Sequence, residues 1–334
     1  MIAENSTAPA LVEKMDAPVS DVPVNSDMLQ AQGHMEKITK ESDADAVNAL
    51  VGMVKSMGVV SLQACGIFEL VKEAITGGDD IAKSGALSVI KSCVVSVDSW
   101  IEPYLVALVP SILALAPANK LRAGAKDCLA TVVDNLCSHA IGVVIPQLLQ
   151  GMEAYEWQTK VLSTEILGEV ASKYPEQVAL QMPEIVRTMM VVVSDTKSKV
   201  KQTGMAVFPT VCNVITNVDI HPIIPALIEG YSNPAKNTPK ALEALNGTTF
   251  VNDVDSPTLG LLVPVLLHGM KERKTVLVRK SAVVIGNMCK LVNDPRDAAQ
   301  FYPILEPPLN KAIDVVADAE IREVCTKSLN LLSK

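Results

Sequence analysis

Aromatic side chains are scarce in this chain of 334 residues, which has four Phe, five Tyr and two Trp. Sheet sandwiches and barrels are enriched in aromatic and β-branched residues, whereas a core of Ala, Val, Leu, Ile and Met is typical of packed helices. Apolar residues nevertheless make up 49% of the sequence. This composition excludes a disordered chain, a collagen and a disulfide-stapled miniprotein.

Sequence motifs that would indicate an enzyme are also missing. No glycine is followed by lysine, which excludes a phosphate-binding P-loop, and no GxGxxG, GxSxG or HExxH pattern occurs. The histidines lie far apart in the sequence, at His34, His139, His221 and His268. We therefore expect a non-catalytic protein with no catalytic residue, no cofactor, no metal site and no small-molecule substrate.

No apolar run is long enough to cross a membrane. The longest run, 104–118, has 15 residues and is interrupted by Pro110 and Pro117, while a spanning helix needs about 20. The seven cysteines form no CxxC pair, which is typical of free thiols in a reducing compartment. The N-terminus carries no apolar signal core. We predict a soluble, cytoplasmic protein that does not bind membranes.

The distribution of charge divides the chain, whose formal net charge is −8. Residues 1–42 contain seven acidic residues, three lysines and three prolines without a helical period, which indicates an acidic disordered tail. Residues 43–334 are nearly neutral, with 30 acidic and 26 basic side chains. Any contact with nucleic acid must therefore depend on local patches rather than on a general basic field.

One sequence pattern repeats along residues 43–334. A proline flanked by apolar stretches recurs at intervals of 36 to 43 residues. Because a proline inside a helix costs about 3 kcal/mol, this regularity indicates a fixed position within, or at the start of, the first helix of a repeated unit. The recurring prolines are Pro110, Pro146, Pro183, Pro225, Pro264 and Pro307.

A second helical pattern follows each proline-bearing segment. In 276–292 the apolar residues form a single stripe at helical period. Other second helices are predicted at 121–139, 156–173, 197–215, 239–251 and 319–332, and two proline-free units precede them at 45–60 and 62–97. Helical hairpins that recur about every 40 residues are typical of HEAT proteins. We predict an all-α solenoid of the HEAT/armadillo type over 43–334, with about 7–8 hairpin repeats in a curved superhelix.

Basic side chains gather near the turns inside the repeats. Stacking places equivalent turns side by side, so these residues could form a ridge that binds phosphates or an acidic protein surface. Ordinary solvated turns are the alternative. The candidate ridge consists of Lys197, Lys199, Lys271, Arg273, Lys274 and Lys280.

A base early in a second helix can instead pair with an acid of a neighbouring turn. Lys201, Arg279 and Arg322 hold that position, and the candidate acids are Asp195 and Asp318. We predict that these five residues form a structural ladder between repeats.

Trp157 lies at the turn of its unit, in the sequence EYEW. As an exposed anchor for a partner it would be of a residue type enriched at binding hot spots. As packing between repeats it needs no partner, and packing is the favoured interpretation.

Seven segments resemble the N-terminal HEAT-repeat domain of translation elongation factor 3, a ribosomal ATPase typical of fungi. They follow the order found in that family over residues 62–334, and the run 278–295 is the most specific of them. The segments are IEPYLVALVPSI (101–112), EWQTK (156–160), QVALQMPEIV (177–186), DTKSKVK (195–201), GTTFV (247–251), VRKSAVVIGNMCKLVNDP (278–295) and IREV (321–324).

This resemblance implies a ribosome-associated translation factor. In the family the HEAT domain contacts the head of the small ribosomal subunit, while twin ATP-binding cassettes drive the release of deacylated transfer RNA. The present sequence contains no cassette, four-helix insert or chromodomain-like arm, so we do not expect ATPase activity or transfer RNA release. The implied partners are the ribosome, through small-subunit proteins or ribosomal RNA, or translation-factor proteins.

Three functions therefore remain open from the sequence. The chain is a ribosome-binding module, a scaffold resembling the HEAT section of the ribosome-bound activator of the starvation-response kinase, or a general HEAT adaptor. Ribosome binding that weakens with salt would favour the first function over the third, since contacts with phosphates are salt-dependent.

Overall fold

The computed structural model describes residues 24–333, and all regular elements in that range are helices. The predicted all-α fold is therefore confirmed. The helices are α1 (Val24–Glu41), α2 (Ala44–Met57), α3 (Val59–Gln63), α4 (Ile67–Gly77), α5 (Asp80–Ser96), α6 (Glu102–Leu113), α7 (Arg122–Asn135), α8 (Ser138–Met152), α9 (Trp157–Lys173), α10 (Pro175–Leu180), α11 (Met182–Val193), α12 (Ser198–Cys212), α13 (Ile224–Ser232), α14 (Pro234–Gly247), α15 (Ser256–Met270), α16 (Thr275–Leu291), α17 (Pro295–Ala299), α18 (Tyr302–Val315) and α19 (Ala319–Leu332).

Consecutive helices pack in pairs, and eight such hairpins lie within the described range, in line with the predicted number. Helices α3, α10 and α17 are short connecting helices of five or six residues. The hairpins are α1/α2, α4/α5, α6/α7, α8/α9, α11/α12, α13/α14, α15/α16 and α18/α19.

The core lies between the stacked hairpins. Second helices pack on one another in the order α2, α5, α7, α9 and α12, and again in the order α14, α16 and α19. Leu129 of α7 and Ile166 of α9 are fully buried by this stacking. Because burial of one such side chain is worth about 1.5–3 kcal/mol, each hairpin depends on its neighbours for stability.

The recurring prolines all belong to the first helix of a hairpin, which confirms the prediction. Pro183 and Pro225 lie in the first turns of α11 and α13, where a missing N–H costs no helical bond. The others lie inside α6, α8, α15 and α18, and these are Pro110, Pro146, Pro264 and Pro307.

The predicted disordered tail, residues 1–42, is helical in its second half, so the prediction is wrong there. Helix α1 packs against α2 and α5, and Ala31, Met35 and Ile38 form its buried stripe. These three apolar residues are spaced at a helical period, but the acidic composition of the segment favoured the prediction of disorder. Residues 1–23 lie outside the described range.

Helix α14 begins earlier than the sequence indicated. It starts at Pro234, whereas the pattern predicted a start at Pro239. Pro239 lies inside the helix, little more than one turn after Pro234. Either proline is compatible with a helix start, and the structure places the start at Pro234.

The regular stacking changes around α13. Helix α11 packs directly against α15, so closely that a Cβ on Gly260 would lie 3.0 Å from the Pro183 Cα. Nearby, the Asp219 carboxylate accepts bonds from the Val251 and Asn252 backbone N–H groups at 2.8 and 2.9 Å. Polar contacts therefore join the connections on either side of the α13/α14 hairpin.

The seven cysteines are free thiols, as predicted, and all but Cys137 are at least partly buried. Burial raises the pKa of Cys93, Cys128 and Cys212 to about 12. Between residues 24 and 333, no helix combines the length and the apolar character needed to cross a bilayer.

Candidate functional site

The turns inside the hairpins lie side by side where the second helices stack, in one group up to α12 and in another from α14 onward. We call these turns the turn edge. It comprises 114–121, 153–156, 194–197, 271–274 and 316–318, with the first turn of each following helix. The N-termini of the second helices therefore face this edge, and each contributes the positive end of a helix dipole.

Five of the six candidate ridge residues are exposed on the turn edge. Within the described part of the chain none of the five forms an ion pair, although the Lys197 ammonium lies over an aromatic ring. We call these five residues the basic ridge: Lys197, Lys199, Lys271, Arg273 and Lys274.

Two lysines of the basic ridge occupy an unusual helix position. Lys197 is the N-cap of α12 and Lys274 is the N-cap of α16, and neither helix receives a side-chain cap. Asp, Ser, Thr or Asn is preferred at this position because the N-terminal N–H groups need an acceptor. The dipole also disfavours a cation there. The arrangement leaves these two helix ends attractive to an anion.

Lys280 differs from the other ridge candidates because it is less exposed and lies near an acidic side chain. Its ammonium lies 3.9 Å from a Glu243 carboxylate oxygen on α14, and only 27% of its side chain is exposed. It therefore contacts a neighbouring hairpin, which sets it apart from the five exposed candidates, and its place in the ridge stays a prediction.

The residues predicted to form a ladder have partners other than those expected from the sequence. Arg279 pairs with Glu320, with an Nη2–Oε1 distance of 2.5 Å, and not with Asp318. Asp318 instead accepts the Glu320 N–H at 2.9 Å and caps α19. The Asp318 carboxylate therefore caps the helix, and Glu320 forms the ion pair with Arg279.

The other predicted ladder residues also have different partners. Asp195 pairs with Lys160 at 2.8 Å, while the Lys201 ammonium reaches the Ser232 carbonyl oxygen at 3.5 Å. Arg322 is exposed and forms no ion pair with any described residue. Partial burial tends to raise the pKa of Asp195, but bonds from Lys160 and the Lys197 N–H, with the Lys160 charge, lower it overall.

Further ion pairs, not predicted from the sequence, join successive hairpins through their second helices. They connect a lysine to an acid roughly one repeat away, 35 to 39 residues along the chain. Base–acid pairs at the repeat period are the signal that would have found them. The pairs are Lys91–Asp127, Lys126–Glu165, Lys160–Asp195 and Lys173–Asp134.

Trp157, the first residue of α9, is half-buried against the core and is flanked by two cations. The Lys197 Nζ lies 5.2 Å and the Arg122 Cζ 5.9 Å from its ring centroid. Arg122 is held by bonds to the Ala116 carbonyl at 2.7 Å and the Asn119 amide oxygen at 3.0 Å. The predicted packing role is confirmed, and the ring also borders an open cleft.

This cleft lies between the N-terminal halves of α7 and α9, and we call it the α7/α9 cleft. Its volume is about 340 Å³, within the range of small-ligand sites. Polar and apolar side chains line it: Asn119, Arg122, Ala123, Lys126, Trp157, Gln158, Val161, Leu162, Glu165 and Lys199. Tyr155, which the sequence analysis did not single out, is 98% exposed in the turn just before it.

No metal site is evident between residues 24 and 333, where no group of three or more His, Cys, Asp and Glu side chains could hold an ion. The histidines lie on separate elements, at α1, α8, the turn before α13, and α15.

Two family models match this chain. One, described as "EF3 N-terminal HEAT repeat", matches residues 43–208. The other, described as "Elongation factor 3/GNC1 HEAT repeat", matches residues 236–334. The interval between the matches contains the connection and the α13 helix at which the regular stacking changes.

Curated relatives are similar over most of the chain. Elongation factor 3 of Gonapodya prolifera is 36% identical over 82% of this chain and 26% of its own length. The human stalled ribosome sensor GCN1 is 32% identical over 86% of this chain and 11% of its own length. The chain thus spans about a quarter of the elongation factor and about a tenth of the sensor.

A solved structure supports the fold. A crystal structure of a Kap121p mutant superposes with a TM-score of 0.50 and 16% identity, covering 91% of this chain and 33% of that one. At this identity the similarity shows the helical-repeat architecture alone.

Proposed function

The chain belongs to the elongation factor 3 family of HEAT-repeat proteins, and from this membership we propose that it is a non-catalytic binding module that docks on the ribosome. Its relatives are named as an elongation factor and as a stalled ribosome sensor. The activities of those longer proteins are not assigned to this chain. We propose the cytoplasm, where ribosomes work, as its location, and we expect no nucleotide turnover from the purified protein.

The basic ridge is the observation that carries this proposal. Five exposed cations without ion pairs in the described chain stand at two of the turns of a protein whose net charge is −8. Lys197 and Lys274 also violate the usual preference at helix N-caps. Such departures from local rules are typical of functional positions. Phosphates of ribosomal RNA supply the complementary charge.

Ribosome co-sedimentation over a range of salt concentrations tests the proposal. If the five ridge cations contact phosphates, affinity should fall with salt at a log–log slope of about −4. The variant Lys271→Glu/Arg273→Glu should bind much more weakly and with a shallower slope. A steep response that this variant leaves unchanged would contradict the assignment of the ridge.

A matched control is available at the opposite ends of the second helices. Lys55 and Lys290 are exposed in the last turns of α2 and α16, away from the turn edge. Lys55→Glu/Lys290→Glu changes the net charge by the same amount as the ridge variant. Its binding should stay close to that of the wild type, because only the general attraction changes.

A second candidate is a scaffold for a protein partner. A groove of about 400 Å³ lies between the α15–α16 turn and α18, and it is lined mainly by apolar residues such as Met270, Val278 and Pro307, together with the charged Lys271, Glu272 and Lys311. The exposed Val276 and Val315 lie on the same elements. A flat salt response in the sedimentation experiment would favour this scaffold over RNA docking.

A further inference from the structure

The α7/α9 cleft combines three features that a simple phosphate contact does not need. It has an aromatic ring at Trp157, an apolar floor at Ala123, Val161 and Leu162, and cations above. Single-stranded RNA is bound in this way elsewhere, because bases stack on aromatic rings while phosphates meet basic side chains.

The charges around the cleft favour an anionic ligand. Its single acid, Glu165, is paired with Lys126 at 2.7 Å and adds no uncompensated negative charge. Arg122 has only uncharged oxygen partners, and Lys197 and Lys199 form no ion pair in the described chain. These three cations outnumber the one nearby acid without an ion pair in the described chain, Glu156 at the N-cap of α9. The N-terminus of α7 adds positive potential.

The lining of the cleft also contains an amide with an unpartnered oxygen. Gln158 lines the cleft, and its Oε1 atom is buried beneath the surface without a hydrogen-bond partner within residues 24–333. A buried acceptor without a donor is costly, by about 1–3 kcal/mol. A ligand N–H would satisfy this acceptor once the Gln158 side chain turns toward the cleft. Nucleobase edges and peptide backbones both carry such donors, so the flat Trp157 ring, on which a base can stack, is what favours a nucleotide.

We propose that the α7/α9 cleft binds one unpaired nucleotide of an RNA. The base enters beside the Trp157 ring and over the apolar floor, with its edge toward Gln158. Its flanking phosphates lie on Lys197 and Lys199, so that the Lys197 ammonium moves from the ring face to a phosphate. This inference rests on the proposed ribosome docking for the source of the RNA, but its test uses isolated oligonucleotides.

Trp157 itself provides the readout. The chain has only one other tryptophan, so a Trp100→Phe background leaves Trp157 as the single indole. An oligouridylate of about 12 nucleotides, a size suited to one such site, should quench its emission and saturate. An abasic RNA of the same length and polyglutamate of similar charge serve as comparison ligands, and both should bind more weakly and leave the emission nearly unchanged.

Substitutions locate the contact. Trp157→Ala should weaken oligouridylate binding about 5- to 150-fold, the range for loss of one stacked base, and Trp157→Phe should retain most of the affinity. Lys199→Glu should weaken binding and make the salt slope shallower. Tyr155→Ala is the matched control, since this exposed side chain lies in the adjacent turn outside the cleft, and its affinity should remain within about twofold of wild type.

Equal affinity for base-bearing and abasic RNA would overturn the proposal. Equal quenching of the Trp157 emission by polyglutamate would also overturn it, and would indicate that the cleft binds an acidic protein. Both comparisons use the Trp100→Phe chain with Trp157 intact, so they stand even if Trp157→Ala fails to fold. Ribosome co-sedimentation tests docking separately from the nucleotide site. If the ridge variant Lys271→Glu/Arg273→Glu loses ribosome binding while the cleft binds abasic RNA as tightly as oligouridylate, the docking hypothesis stands and the nucleotide-site hypothesis is wrong.

Discussion

Gly269 and Ser281 meet where α15 and α16 pack against each other, and a Cβ on Gly269 would overlap the Ser281 Oγ. The same relationship, with the same spacing in sequence, joins Gly151 of α8 to Ser163 of α9. In the α11/α12 hairpin the sizes are reversed, and a Cβ on Gly204 would lie 2.7 Å from a Val192 methyl carbon. Each of these hairpins thus needs one small residue at this contact.

Gly269→Ala should therefore destabilise the protein by about 1–3 kcal/mol through overpacking. Adding Ser281→Gly should restore only part of the loss, because the new methyl group would still lie 2.5 Å from the Leu242 Cδ1. Chemical denaturation of the two single variants and the double variant gives the coupling energy. Strictly additive effects would show that the two positions do not share this contact.

Lys160→Ala should cost about 1.5–3 kcal/mol, the range for a hydrogen bond to a charged group. It removes a pair in which the two side chains are only 20% and 12% exposed, and it leaves Asp195 without its cation. Lys120→Ala is the control, because Lys120 pairs with Asp80 at 3.5 Å on a highly exposed surface. Its loss should be below about 1 kcal/mol. Equal losses would contradict the burial argument.

The stabilisation from Asp195 should depend on pH. Its pKa is lower in the folded protein than its ordinary value of 3.8, so the folded state favours the ionised carboxylate. This contribution is complete above the ordinary pKa and is lost as the pH falls through the folded pKa. The difference in unfolding free energy between wild type and Asp195→Asn should be constant near neutral pH and shrink below about pH 4. A difference that grows on acidification would reverse the assigned sign.

The sequence was sufficient for the repeats because they are periodic. The register of the prolines and the apolar stripe of 276–292 predicted hairpins that the structure confirms, and the last helix was placed at the correct residues, 319–332. Helix α1 was missed because three apolar side chains in an acidic segment are a weak signal. The exact partner of each charged side chain could not be predicted either. Asp318 caps α19, and Glu320 rather than Asp318 therefore pairs with Arg279.

The α7/α9 cleft could not be predicted for a different reason. Arg122, Trp157 and Lys197 come from three successive hairpins, so their meeting depends on how the hairpins stack. The sequence identified Trp157 and Lys197 as separate candidates. Only the packing of second helices brings a cation of one turn over the ring of another.

Asp219→Ala should loosen the connection after α14. The carboxylate accepts two backbone N–H groups at Val251 and Asn252, and the Asn217 amide donates to the Asp253 carbonyl at 2.9 Å. Hydrogen exchange at 251 and 252 should accelerate, with a stability loss of about 1–2 kcal/mol. Exchange in α9 should remain unchanged as an internal control. Unaltered exchange at 251 and 252 would show that other contacts hold this segment.

Substitution of the ridge and of the ladder should have opposite consequences on the α15/α16 hairpin. Lys271→Glu/Arg273→Glu changes exposed side chains without ion pairs in the described chain, so the thermal midpoint should stay nearly constant while ribosome binding falls. Arg279→Ala removes the pair with Glu320, and because those side chains are 46% and 64% exposed, the expected loss is only about 0.5–1 kcal/mol. Its ribosome binding should be retained, because the Arg279 guanidinium is engaged with α19 and not free for a partner. Calorimetry and ribosome co-sedimentation on the same preparations test both predictions. A ridge variant with a lowered thermal midpoint would contradict the binding role of the ridge. An Arg279 variant that keeps its stability but loses ribosome binding would contradict the structural role of Arg279.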